Sequence, residues 1–245
     1  MTSLFRPARQ NRIFQDVVEQ VQEAIIGGEL KVGDRLPPER ELKEMLKTSR
    51  STLREALRVL EQKGLIEIKL GMGGGAVVKP VTTDLVAESL DLLIRSQQVS
   101  LRHITEFRER VESDVAILAT MRMKASDKKE LKILLEEAQK HVALGSEGVS
   151  GFLISDMKIH LCFAKISGNP VYFSILKTIH ENNQRYYDQY LDMQGPEMKE
   201  NLQDLENIIK AMNKGEVEKA GQLVRTHVKR FSRYMEAHKN EKRDG

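Results

Sequence analysis

Gly33-Asp-Arg-Leu-Pro-Pro-Glu-Arg-Glu-Leu42, then Ser49-Arg-Ser-Thr-Leu-Arg-Glu-Ala-Leu57, then Leu60-Glu-Gln-Lys-Gly-Leu-Ile66 is the stretch from which the fold is read. Pro38 suits the first position of a helix, and Leu42 with Leu46 supplies the apolar stripe of a short one. Lys47-Thr48 is a tight break. Ser49 is a good N-cap for a further helix, which carries Leu53, Leu57 and Leu60 on one face and stops at Gly64. Upstream, Ile13, Val17, Val21 and Ile25 recur every fourth residue, predicting an amphipathic helix ended by Gly27-Gly28. Downstream, Leu65–Leu70 and Ala76–Lys79 are short β runs around Gly71-Met-Gly-Gly-Gly75, a hairpin with a loose tip. Three helices and a hairpin in this order predict a winged helix-turn-helix.

The first turn of a recognition helix must offer hydroxyl and amide donors to phosphates, and long donors to base edges in the major groove. Ser49, Ser51 and Thr52 suit the first task. Arg50 and Arg54, one helical turn apart, suit the second, because a guanidinium matches guanine O6 and N7. The bland alternative is a solvated helix start with a chance pair of arginines; the flanking short helix and hairpin weigh against it. The glycine cluster could instead be a phosphate-cradling loop, but it lacks the Gly-Lys-Ser/Thr ending and a β run follows it.

The charge distribution agrees with a polyanion partner for this segment. Net charge is +3. Residues 1–80 hold 14 Lys/Arg against 11 Asp/Glu, so the whole excess lies there and the remainder is neutral. The single cysteine, Cys162, can form no intrachain disulfide. No apolar run approaches the ~18 residues of a membrane span, and the first residues lack the apolar core of a secretory signal. A cytoplasmic location is expected.

Pro80 and the polar residues around it mark a linker. Beyond it, helical patterns cover roughly 84–97, 101–123, 127–144, 149–167, 171–193, 197–213 and 216–237, broken at Gly145/Gly148, Ser167-Gly-Asn-Pro170, Gly195-Pro196 and Gly215. The expected fold is mainly α: a winged helix-turn-helix over 1–79, a linker at 80–84, an antiparallel all-α bundle over 85–238, and a polar tail at 239–245.

Within the bundle, Asp156-Met-Lys-Ile-His160 sets a carboxylate and an imidazole one turn apart, both good ligands for a borderline divalent metal. A helix-surface Asp–His pair is the commoner case. Arg108 and Glu112 are also one turn apart, so Arg108 reads either as a fork for an anionic effector or as a structural ion pair. Cys162 and His160 diverge around the helix and cannot act as a nucleophile–base pair. His180, Tyr186 and Tyr187 share one helix that could border a pocket, although aromatics at such spacing more often form core.

The stretches quoted at the outset resemble the GntR superfamily of bacterial transcription regulators over most of 13–79. The resemblance implies DNA contacts from Arg40, Ser49, Arg50, Ser51, Thr52 and Arg54, with Gly71 at the wing tip. Some members place a His before that glycine, where this chain has Leu70. The second segment, through Asp156-Met-Lys-Ile-His160, Phe163-Ala-Lys-Ile-Ser-Gly-Asn-Pro170 and Glu106-Phe-Arg-Glu-Arg-Val-Glu112, resembles the FCD ligand-binding domain of the FadR subfamily over about 84–235.

Many such domains hold a metal with one Asp and three His. The resemblance implies Asp156, His160 and His227 as ligands, and Leu205 stands where the remaining His is expected. It implies at most a three-ligand site for one zinc- or nickel-like divalent metal. By the same resemblance Arg108, Asp156, His160 and His227 would bind an effector. The expected protein is a homodimeric regulator that binds an inverted repeat in double-stranded DNA and responds to a small organic acid. Two competitors remain: a metal-dependent hydrolase, which lacks an obvious general base and leaves the winged helix unexplained, and an architectural DNA binder, which calls for a larger basic excess.

Overall fold

The computed structural model describes residues 12–71, 74–82, 84–96, 99–190, 193 and 195–241; side chains at 12, 84, 87, 94, 95, 183–190 and 236–241 are outside the description. The chain divides into two compact units, Met1–Leu85 and Val86–Gly245.

The first unit contains α1 (Arg12–Ile26), α2 (Glu39–Met45), α3 (Arg50–Gln62), β1 (Ile66–Lys69) and β2 (Gly75–Val78). Both α1 and α2 pack on α3. Their shared core is Val17, Val18, Val21, Leu36, Leu42, Leu53, Ala56, Leu57 and Leu60, with Ile66 and Val78 from the hairpin. The expected stripe on α1 is displaced. Ile13 is exposed, and Val18 joins Val17 and Val21 in the core, so the buried face lies between two helical columns.

The hairpin is antiparallel, with Ile66 opposite Val78 and Lys69 opposite Gly75. Its second strand is flanked on both sides. Leu36 donates its N–H to Ala76 O and Val78 donates to Asp34 O, both at 2.9 Å, so the segment before α2 adds a further edge. That central position accounts for the apolar run Ala76-Val-Val78. Gly71 adopts φ 99°, and a Cβ at Gly74 would stand 2.3 Å from the Lys69 carbonyl, so the tip requires glycine at both places. Met72 and Gly73 of the glycine cluster lie outside the described residues.

The second unit is helical: α4 (Asp84–Arg95), α5 (Leu101–Arg122), α6 (Ala125–Ala143), a 3-10 turn (Gly145–Gly148), α7 (Val149–Ile166), α8 (Pro170–Tyr190), α9 (Gly195–Asn213) and α10 (Val217–Glu241). No strand occurs among its described residues. Asp84 is the first residue of α4, as the helical pattern from 84 leads one to expect. α10 runs on through 239–241, because no Gly or Pro interrupts its good helix formers before that end.

Ser100 caps α5 and exchanges bonds with His103 in a capping box. α10 lies along α5 and α9, and α7 touches α5, α6 and α8. Gly221 permits the α5–α10 approach: a Cβ there would lie 2.8 Å from Ile117 Cγ1, and Ser113 Oγ donates to Gly221 O at 3.0 Å. This close packing brings polar side chains of five helices together in the interior. No helix among the described residues is long and apolar enough to cross a membrane.

Candidate functional site

Two regions carry chemistry. In the first unit, Ser49 caps α3, its Oγ accepting from Thr52 N–H at 3.1 Å. That oxygen also lies 2.9 Å from Ser51 Oγ and 2.8 Å from Thr52 Oγ1. The cap orients the first turn of α3, while Leu53, Ala56, Leu57 and Leu60 anchor its inner face. Arg50 and Arg54 project outward with side chains 76% and 57% exposed, and both lie 3.7 Å from Glu39. Arg40 is fully at the surface, loosely paired with Glu44. Solvated pairs of this kind are weak and can be exchanged for phosphate contacts. Leu70 and Gly71 stand exposed beside the glycine-rich tip, Leu70 at 94%.

In the second unit a buried polar cluster spans α5, α7, α8, α9 and α10. Arg108 Nε donates to Glu112 Oε1 at 2.5 Å. Glu112 Oε2 meets His160 Nδ1, and Glu112 Oε1 lies 3.3 Å from His180 Nε2. On the other edge of the His160 ring, Nε2 is 3.8 Å from Asp156 Oδ1. Asp156 Oδ1 is also 3.2 Å from His227 Nε2, and His227 Nδ1 is 3.5 Å from Asp204 Oδ2. Arg230 closes the series on Asp204 at 3.0 Å. His160 is the centre, with ring centroids 5.2 Å from His227 and 5.3 Å from His180.

Burial and pairing compete throughout. Burial raises the pKa of Glu112, but the Arg108 guanidinium and the His160 and His180 imidazoles outweigh it and hold the carboxyl well below its ordinary value. Burial likewise opposes ionisation of Asp156, yet His160 and His227 bring it to about 2. Burial pushes His180 down more than Glu112 lifts it. For His227 burial also acts downward, but hydrogen bonds to Asp156 and Asp204 prevail and raise it to about 9.

Asp156, His160 and His227 therefore come together from α7 and α10, with ligand atoms within 4.8 Å of one another. Leu205 is fully buried in the apolar core. Its neighbour Asp204 is the residue of α9 that meets His227. Arg108 takes the ion pair with Glu112, so an effector carboxylate would have to share this guanidinium. His180, read above as core or pocket border, is a member of the cluster through Glu112; the side chains of Tyr186 and Tyr187 lie outside the described residues. Sequence reasoning missed Asp204 and Glu39 as well. Their partners sit on other helices, and no local spacing marks them. Cys162 is buried and free, with burial pushing its thiol up to about 12.

Residues 14–78 match the family "Bacterial regulatory proteins, gntR family", and residues 103–230, more than half of the chain, match the FCD domain. The chain belongs to the GntR family and carries an FCD domain. It is 29% identical over 166 residues to the Uxu operon transcriptional regulator of Escherichia coli (strain K12), covering 68% of this chain and 63% of that one. It is 29% identical over 176 residues to the HTH-type transcriptional repressor NanR of Enterobacter sp. (strain 638), covering 69% and 64%. These matches span less than two thirds of either relative. Among solved structures, the Streptococcus agalactiae GntR protein superposes with a TM-score of 0.71 at 24% identity, over 90% of this chain and 99% of that one. That likeness shows that this FCD-domain chain shares the fold.

Proposed function

We propose that this chain is a bacterial, cytoplasmic transcription regulator that binds double-stranded DNA as a homodimer and changes its operator affinity when a small organic acid enters the helical domain. The observation that carries the DNA reading is the first turn of α3. A capped helix start presents Arg50, Ser51 and Arg54 outward, while its opposite face is locked into the core. Such a turn can enter a major groove with Arg50 on a guanine edge, Ser49, Ser51, Thr52 and Arg40 on phosphates, and Gly71 at the wing tip against the backbone. Two-fold symmetry then calls for an inverted repeat.

In the helical unit Asp156, His160 and His227 fit a zinc- or nickel-like divalent cation. The donors are two imidazoles and a carboxylate, and His160 Nε2 has no hydrogen-bond partner among the described residues. Asp204 sits against the outer nitrogen of His227, where a carboxylate orients a ligating ring. Leu205 withholds a fourth ligand from this position. A cation there would supply a Lewis-acid anchor for an effector carboxylate, and Arg108, paired with Glu112, would be a second cationic contact for it. The chain's own residues orient the rings and exclude water.

Operator selection from random duplexes, followed by binding titrations at fixed salt, tests the DNA reading. Arg50→Ala is expected to cost about 1–3 kcal/mol on the selected site. Unchanged specific affinity in that variant would show that α3 is not the reading helix.

A further inference from the structure

His160 faces two sets of ligands through opposite ring nitrogens. Its Nε2 edge looks toward Asp156 and His227, and its Nδ1 edge toward Glu112 and His180. We infer that the chain has a second divalent-cation position, distinct from the one just proposed, held by Glu112 Oε2, His160 Nδ1 and His180 Nε2.

Three observations meet here. The donors form a compact set, one carboxylate oxygen and two imidazole nitrogens within 4.8 Å of one another, the chemistry that suits a borderline transition metal. All three side chains are almost wholly buried. And none of the three atoms has a hydrogen bond of ordinary geometry among the described residues, although Glu112 Oε2 meets His160 Nδ1 and His180 Nε2 lies 3.3 Å from Glu112 Oε1. An ion entering between them would part Glu112 Oε2 from His160 Nδ1 and take the place of that contact, since two donors on one such ion stand about 3 Å apart. On the opposite edge, Asp156 Oδ1 already accepts from His227 Nε2 at 3.2 Å, so less is left unsatisfied there.

Arg108 is compatible with this assignment. Its Nε holds Oε1 of Glu112 and leaves Oε2 for the ion, as a ligating carboxylate is commonly held by an outer donor. A neutral imidazole has one lone pair, so His160 serves one position at a time. An ion at Nδ1 puts the ring proton on Nε2, facing Asp156. The two positions therefore compete for one ring, and the Glu112 position takes the first equivalent.

The test is a Co²⁺ titration of the full-length chain after chelator treatment, read by visible absorption, with the metal-free melting temperature of each variant measured alongside. His180→Gln is expected to weaken the first equivalent by at least about tenfold, since even an outer-shell loss costs about 10–100-fold, and by more than His227→Gln does. His180→Cys is expected to add a thiolate-to-cobalt charge-transfer band in the near ultraviolet, absent from the unsubstituted chain. If a variant fails to fold, histidine ¹⁵N spectra of the unsubstituted chain with added Zn²⁺ decide: His180 signals shift and those of His227 do not. Wild-type affinity in folded His180→Gln, a missing band in folded His180→Cys, or no Co²⁺ binding at all overturns the inference. Loss of binding in His227→Gln alone also overturns it while leaving the Asp156 position standing. None of these results bears on DNA binding.

Discussion

At the scale of single residues, the helical interior is governed by charges that tolerate burial only in company. Arg108 and Glu112 are both almost fully buried, and removing Arg108 leaves the Glu112 carboxylate with only the His160 and His180 imidazoles. Arg108→Ala is expected to lower stability by about 3–5 kcal/mol, read as a shift in urea midpoint with unchanged slope; a loss below about 1 kcal/mol would mean the pair is solvated. The Asp156–His227 pair makes stability depend on pH. His227 is raised to about 9, so its contribution is full below its ordinary 6.5 and fades as pH rises through 9. Asp156 is lowered to about 2, so its contribution is full above 3.8 and fades as pH falls through 2. In chelator-treated protein the stability gap between the unsubstituted chain and His227→Gln should be widest at about pH 4–6.5 and should narrow towards pH 9. A gap that widens above pH 7 contradicts this pairing.

Between elements, the decisive contact is α5 against α10. Glycine at 221 lets the backbones approach, and the α10 residues His227 and Arg230 follow about two turns later on the same helix. Gly221→Val forces atoms into Ile117 and the Ser113 carbonyl and should cost about 1–3 kcal/mol by overpacking. Thermal unfolding reads that cost. A variant as stable as the parent would mean that α10 shifts freely against α5. α3 depends on its neighbours in a different way: the cap at Ser49 and the pairing with Glu39 set where Arg50 and Arg54 point.

For the whole molecule, the proposal of an effector-controlled regulator requires an energetic link between the helical unit and the winged unit. The buried cluster joins five helices through side-chain contacts, so an occupant that pulls on His160 or Asp156 acts on all of them. A coupling of about 1–3 kcal/mol changes operator occupancy 5–150-fold. The chain should sediment as a dimer at micromolar concentration, because an isologous pair places two α3 helices on an inverted repeat about one DNA turn apart. Monomers both free and on DNA would rule out that arrangement.

Much of the fold was legible in the sequence because its signals are local. Pro38, Ser49, Gly64 and the spacing of Leu53, Leu57 and Leu60 act within one helix and its ends, so the winged unit and its outward arginines could be read directly. The helices of the second unit were legible for the same reason, apart from an end such as Glu241 where no breaker stands. Asp156 and His160 were also within reach, being one turn apart. What a periodic pattern cannot carry is which distant helix supplies the partner of a buried charge. Glu112 and His180 on one edge of His160, and Asp204 rather than Leu205 beside His227, are set by the packing of α5, α8, α9 and α10. The sequence by itself determined the helices, the cap and the exposed first turn of α3, since these minimise free energy locally. Only the tertiary structure decided the composition of the polar centre, because burying a carboxylate is tolerable only where packing brings its counter-charge within a few ångströms.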